Sequence, residues 1–161
     1  MAPVRYSLHV KGKPRHPLAR VGWREWASFP NLGVEAIKAK VDTGARTSAL
    51  HAVDTKAFER DAQTWVRFGV VARGHSEATA VPTEAALLEW REVRSSNGVV
   101  QRRPVIVTTL YLGDGAWSVE LTLTDRSLMG FQLLLGRQAL RNKVVVDPAR
   151  SFLLGRTPPD L

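Results

Sequence analysis

Apolar and polar positions alternate with a period of two along much of this chain. Trp117, Val119, Leu121 and Leu123 alternate strictly with Ser118, Glu120, Thr122 and Thr124. That pattern predicts a strand with one buried face. Ile37, Ala39 and Val41 alternate in the same way with Lys38 and Lys40. Residues 21–29, just upstream, are rich in Trp and other strand formers, and Pro30-Asn31-Leu32-Gly33 is a strong turn signal. Residues 21–41 are therefore expected to form a hairpin that delivers Asp42 at its far end. Residues 65–71 and 99–112 predict two more strands, and Gly113-Asp114-Gly115 a turn after the second. Val144-Val145-Val146 predicts a buried strand stopped by Asp147-Pro148.

One segment reads two ways. Thr83 could cap a helix, and Glu84-Ala85-Ala86-Leu87-Leu88-Glu89 has helical propensity. Equally, Leu88, Trp90 and Val93 could lie on a strand entering a hairpin at Asn97-Gly98. Local propensity alone favours helix. Leu133-Leu134-Leu135-Gly136-Arg137 is an apolar run ending in glycine, and residues 138–141 allow a short helix. Many short strands joined by tight turns predict a closed all-β domain with little helix. Residues 1–20 hold three prolines, five basic residues and no acid, which predicts a basic flexible arm; the domain is expected over 21–155, with a tail over 156–161.

Composition narrows the classes. The 161 residues suffice for one domain with a real core. No cysteine is present, which excludes disulfides, thiolate catalysis and Cys-ligated zinc. No apolar run is long enough to span a bilayer, and the basic N-terminus lacks the apolar stretch of a secretory signal, so a cytoplasmic protein is expected. The net charge of +8 fits nucleic acid, an anionic surface or an acidic peptide as partner, or simply a solvated basic surface.

The candidate chemistry sits at Asp42-Thr43-Gly44-Ala45, directly after the alternating segment. Asp-Thr-Gly alone arises by chance in roughly a few per cent of chains this long, so its context decides. Leu134-Leu135-Gly136-Arg137 lies far downstream, and the Asn97-Gly98 hairpin lies between the two motifs. With Val21 to Trp26, Lys38 to His51, Glu120 to Arg126, and Val146-Asp147-Pro148 to Leu154-Gly155, these stretches resemble the retropepsin-like aspartic peptidases. They resemble more closely a bacterial family often labelled as ATP-dependent zinc proteases. The resemblance implies a retropepsin-like closed β-barrel with one short C-terminal helix. It also implies that residues 86–94 form the strand entering a flap, against the helical propensity.

The resemblance further implies a catalytic loop of Asp42, Thr43 and Gly44, with the second aspartate supplied by a homodimer partner. Thr43 would hold the partner loop across the dimer axis, and Gly44 would permit the turn that aims the carboxylate. Ala45, Arg46, Asn97, Gly98 and Arg137 are the expected substrate contacts. Retroviral members carry an acid where this chain has Arg46; Arg46 and Arg137 cannot pair, so a cationic cleft, with Arg94, Arg102 and Arg103 near the flap, is the natural replacement. The expected partner is a peptide or protein substrate, acidic in character, with a functional link to the ATP-grasp ligases that add glutamate. No cofactor and no metal are expected. His9, His16, His51 and His75 lack the His-Glu-x-x-His spacing, there is no phosphate-binding Gly-x-x-x-x-Gly-Lys motif, and His51 reads as structural. Two other readings compete: a non-catalytic peptide- or partner-binding module on the same barrel, and a nucleic-acid binder. The latter has no recognisable motif, and no single strand interleaves aromatic with basic residues.

Overall fold

The computed structural model describes residues 17–95 and 97–155. Its strands are β1 (Ala19–Val21), β2 (Arg24–Phe29), β3 (Val34–Val41), β4 (Ser48–Arg60), β5 (Gln63–Val70), β6 (Val81–Ala86), β7 (Glu89–Arg94), β8 (Val100–Leu112), β9 (Gly115–Thr124), β10 (Leu133–Leu135) and β11 (Val144–Val146). One α-helix, α1, spans Arg137–Leu140. The alternation of β3 is realised: Ala39 and Val41 point into the core, and Glu35, Lys38 and Lys40 point out.

Six strands close on themselves. β10 pairs with β3, β3 with β2, β2 with β8, β8 with β9, β9 with β4, and β4 returns to β10. Closure leaves none of these six with a bare edge on the ring, which is the all-β solution to unpaired backbone. The ring encloses Phe29, Ile37, Leu50, Ile106, Leu110, Leu121, Leu133 and Leu135, all fully buried. Each such side chain contributes about 1.5–3 kcal/mol of burial free energy. β4 runs past the ring to pair with β5, and β5 pairs with β6. β7 pairs with the first half of β8 as a hairpin whose tip holds Asn97 and Gly98.

The two chain ends of the domain are fastened together. β1 pairs in parallel with β11. Glu25, fully buried, accepts the N–H groups of Gly22 at 2.8 Å, Leu153 at 2.8 Å and Leu154 at 3.4 Å. A buried carboxylate is tolerable when several donors converge on it.

The structure corrects three sequence readings. Residues 83–94 are not helical as local propensity favoured: Thr83 and Glu84 pair with Phe68 and Arg67 on β5, and residues 89–94 pair along β8, the strand that the resemblance implied over 86–94. Tertiary pairing overrides the local propensity. Val144-Val145-Val146 is a strand but not a buried one; Val145 is 53% exposed, because β11 has only β1 beside it. Thr122, expected on the polar face of β9, is buried, and its hydroxyl donates to the Ser48 carbonyl at 3.2 Å. No sequence reading covered β4, which carries no alternation that marks it. Of the basic arm, residues 1–16 lie outside the described residues, while Ala19 and Arg20 belong to β1; the tail 156–161 also lies outside.

Candidate active site

Asp42 leaves the end of β3 and is fixed from both sides. The Val41 N–H donates to the Trp23 carbonyl at 2.8 Å, and the Asp42 N–H to the Leu135 carbonyl at 2.9 Å. The loop then folds back on its carboxylate. Asp42 Oδ1 accepts the Gly44 N–H at 2.9 Å, and the Ala45 N–H reaches the Asp42 carbonyl at 3.3 Å. A Cβ on Gly44 would stand 3.1 Å from Asp42 Oδ1, so a side chain there would crowd the carboxylate. Asp42 is half-buried, and Thr43 and Gly44 are exposed.

The Gly136-Arg137 turn braces this loop from behind. The Arg137 N–H donates to the Ala45 carbonyl at 2.8 Å, the Gln138 N–H to the Arg46 carbonyl at 3.1 Å, and Arg137 Nη1 to the Thr43 carbonyl at 3.0 Å. The Gly136 N–H donates to Ser48 Oγ at 3.0 Å. Trp117 Nε1 donates to the Ala139 carbonyl at 2.9 Å and seats α1. The apolar run before Gly136 supplies the parallel partner of β3, Leu135 lying beside Val41. Two segments far apart in sequence thus become one rigid support, as a preorganised carboxylate needs.

The structure therefore brings together Asp42, Thr43, Gly44, Ala45, Arg46 and Arg137. Arg46 is exposed and lines an open depression of about 280 Å³ with Thr47, Arg91, Glu120 and Gln138. Arg91 bridges Glu120, at 2.9 Å, and Glu89; these bonds, to Glu120 first, hold its guanidinium above its ordinary range. Asn97 and Gly98 are exposed on the β7–β8 turn, where Gly98 has a φ of +84° and donates to the Ser95 carbonyl at 2.9 Å. Among the described residues no hydrogen bond joins this turn to the Asp42 loop. Of the arginines expected near it, Arg94 and Arg102 are exposed, with Arg102 over the Trp90 ring at 4.7 Å, while Arg103 is half-buried.

His51 is buried, and both its nitrogens are engaged. Nδ1 accepts the Arg126 N–H at 2.8 Å, so the proton sits on Nε2, which donates to Glu77 Oε1 at 3.2 Å. Among the described residues no three His, Asp or Glu side chains are grouped to hold a metal ion, and no helix is long and apolar enough to cross a membrane. Two contributors escaped the sequence reading. Ser48 anchors Gly136, and the guanidinium of Arg126, buried in loop 125–131, is pushed below its ordinary range first by burial, with Asp42 acting against that. Arg126 follows the alternating strand β9 after Asp125 and closes the resembling stretch Glu120 to Arg126, but nothing in the sequence marks it as part of the site.

Known proteins share these features. The family model described as RimB-like, retropepsin-like aspartic endopeptidase RimB, matches residues 20–157. A protein of Shewanella halifaxensis named "Probable alpha-L-glutamate ligase" is 47% identical over 136 residues, covering 84% of this chain and 30% of that relative. One of the same name from Parasynechococcus marenigrum is 45% identical over 135 residues, covering 84% and 29%. The chain spans about three tenths of the length of the curated relatives it matches. The crystal structure of Lpg0085, a Legionella pneumophila protein of unknown function, superposes with a TM-score of 0.71 at 29% identity, covering 84% of this chain and 98% of that one. With a family model that takes in the barrel, the Asp42 loop and the Gly136-Arg137 support, the chain belongs to the RimB-like family of retropepsin-like aspartic endopeptidases.

Proposed function

We propose that this chain is an aspartic endopeptidase that works as a homodimer in the cytoplasm and cuts acidic, glutamate-rich peptides. The observation that carries the reading is the Asp42-Thr43-Gly44 loop. One carboxylate is held at a strand end by its own Gly44 N–H and backed by Gly136-Arg137, with Thr43 and Gly44 left exposed. Each protomer supplies one Asp42. Two carboxylates about 3 Å apart share a single proton. The ionised one takes a proton from a water held between them, and the protonated one donates to the peptide carbonyl oxygen as the tetrahedral species forms. The water oxygen adds to the carbonyl carbon, so no covalent enzyme intermediate arises. Asp42 fills both roles, and the pair titrates as a unit. Closure of the β7–β8 hairpin would exclude bulk water. The charge of +8 and the relatives named as glutamate ligases support an acidic substrate and a functional link to such a ligase.

The test is hydrolysis of a glutamate-run peptide by the wild-type chain and by Asp42→Asn, followed by mass spectrometry. The reading expects cleavage by the first and none by the second; undiminished cleavage by Asp42→Asn ends it. The second reading, a non-catalytic peptide- or partner-binding module, draws on the same relatives, because a homologous segment inside a ligase can hold a peptide without cutting it. It expects both chains to bind the peptide and neither to cleave it.

A further inference from the structure

Loop 125–131 joins β9 to β10 and is stapled from within. The Ser127 N–H donates to Asp125 Oδ1 at 2.9 Å, and the Met129 N–H to the Arg126 carbonyl at 2.9 Å. Arg126 Nε donates to the Phe131 carbonyl at 3.2 Å, and the Arg126 N–H to His51 Nδ1 at 2.8 Å. These bonds use the backbone and Nε. Among the described residues the two terminal Nη groups of Arg126 make no hydrogen bond and no ion pair. Yet Arg126 is only 8% exposed. Each Nη atom keeps a small contact with solvent, but a mostly buried guanidinium without a carboxylate still loses much of its hydration uncompensated.

Its surroundings make the imbalance sharper. Arg103, half-buried on β8, also makes no ion pair; its Nε and Nη2 hold Gln101 Oε1 at 3.2 and 2.9 Å. Arg103 repels Arg126, and Asp42 is the acidic group that attracts it. Burial pushes both guanidiniums below their ordinary range. No contact within ion-pair distance joins Arg126 to Asp42, so the catalytic carboxylate does not neutralise it. The loop also touches the strand end that carries Asp42: Phe131, whose carbonyl holds Arg126, packs edge-on against Trp23 with ring centroids 5.9 Å apart, and the Trp23 carbonyl accepts the Val41 N–H at 2.8 Å. One further anion would balance the site.

We infer that Arg126, with Arg103 beside it, is a specificity-determining residue whose Nη groups take the side-chain carboxylate of a glutamate next to the scissile bond. The inference rests on the endopeptidase reading above and deepens it. The planar guanidinium fork, with Nε already fixed on Phe131, presents its remaining donors in a fixed direction, which suits bidentate capture of a carboxylate. A peptide with glutamine at the same position leaves the cation buried and uncompensated, and so is discriminated against.

The test compares a glutamate-run peptide with a set in which one glutamate at a time becomes glutamine. The wild-type chain is expected to cleave the peptide with glutamate beside the cut about tenfold to a hundredfold faster, in kcat/KM, than its glutamine counterpart, the range of a charge-assisted hydrogen bond. In Arg126→Gln that ratio collapses towards one, the loss falling chiefly on KM for the glutamate peptide, and Arg126→Lys restores part of it. A merely structural staple slows both peptides together and keeps the ratio, which overturns the inference. Should Arg126→Gln not fold, Arg103→Gln must lower the ratio about threefold, close to half a log unit for a flanking charge; an unchanged ratio overturns it. Should the wild-type chain cleave neither peptide, the endopeptidase reading falls on its own. The same peptides are then titrated by calorimetry: tighter binding of the glutamate peptide that Arg126→Gln abolishes sustains the carboxylate site, and equal binding of the two overturns it.

Discussion

Gly136 has no room for a side chain. A Cβ there would stand 2.4 Å from the Thr47 carbonyl oxygen, 2.7 Å from its carbon and 2.9 Å from the Thr47 nitrogen. All three are backbone atoms on the strand entry that follows the Asp42 loop, so no side chain can swing aside. Gly136→Ala should cost about 3 kcal/mol, the upper end of overpacking penalties, as read by urea unfolding, and should loosen the Arg137 bond to the Thr43 carbonyl. Glu25 is the complementary case, a polar group whose burial is fully matched. Exchanging it for glutamine removes the charge and turns an N–H donor towards the Leu154 N–H. Glu25→Gln is expected to lose about 1.5–3 kcal/mol, the range for hydrogen bonds to a charged group; an unshifted urea midpoint would show that the clasp on Leu153 and Leu154 contributes nothing.

At the scale of elements, loop 125–131 carries its own pH signature. The Asp125 carboxyl is held below the ordinary aspartate range, first by the Ser127 hydroxyl, then by the Ser127 N–H. Because the folded value is depressed, the stabilisation is present above the unfolded value and is lost as pH falls through the folded one. The stability difference between the wild-type chain and Asp125→Ala should therefore be constant above about pH 5 and shrink below about pH 3.9, as followed by thermal unfolding across pH. A difference that grows in acid would assign the loop's order to another group. The elements also show what the sequence made legible. β3, β9 and the apolar run of β10 could be read because one face is buried and the other wet, and the Asp42 loop because carboxylate, hydroxyl and glycine are consecutive. β4 could not. Its outer half, Asp54 to Arg60, is mostly exposed, and Asp54 at a φ of +52° shifts the register between Val53 and Lys56, so the alternation breaks. Residues 83–94 misled because their helical propensity is local, whereas the β5 and β8 edges that recruit them are not. Arg126 was hidden for a related reason: His51, which accepts its N–H, lies 75 residues away in the chain.

For the whole molecule, the proposed mechanism would make one protomer half a site. A single Asp42 stands half-buried in a loop whose Thr43 and Gly44 are exposed, and a proton shared between carboxylates requires a second carboxylate opposite. A two-fold dimer would supply it without any new sequence, since the same patch would meet itself. That symmetry has a kinetic consequence that a monomeric hydrolase lacks. When the wild-type chain is equilibrated with an equal amount of Asp42→Asn chain, random reassortment leaves about one quarter of the dimers with two aspartates. Activity per wild-type chain should then fall to about one half of its starting value, and should fall further as the inactive chain is added in excess. A monomer acting alone gives no loss at any ratio, because the inactive chain is merely a bystander. The measurement needs only peptide cleavage rates after mixing, with sedimentation equilibrium to establish that chains exchange. Linear dilution without inhibition, in a mixture shown to exchange, would remove the shared-proton mechanism.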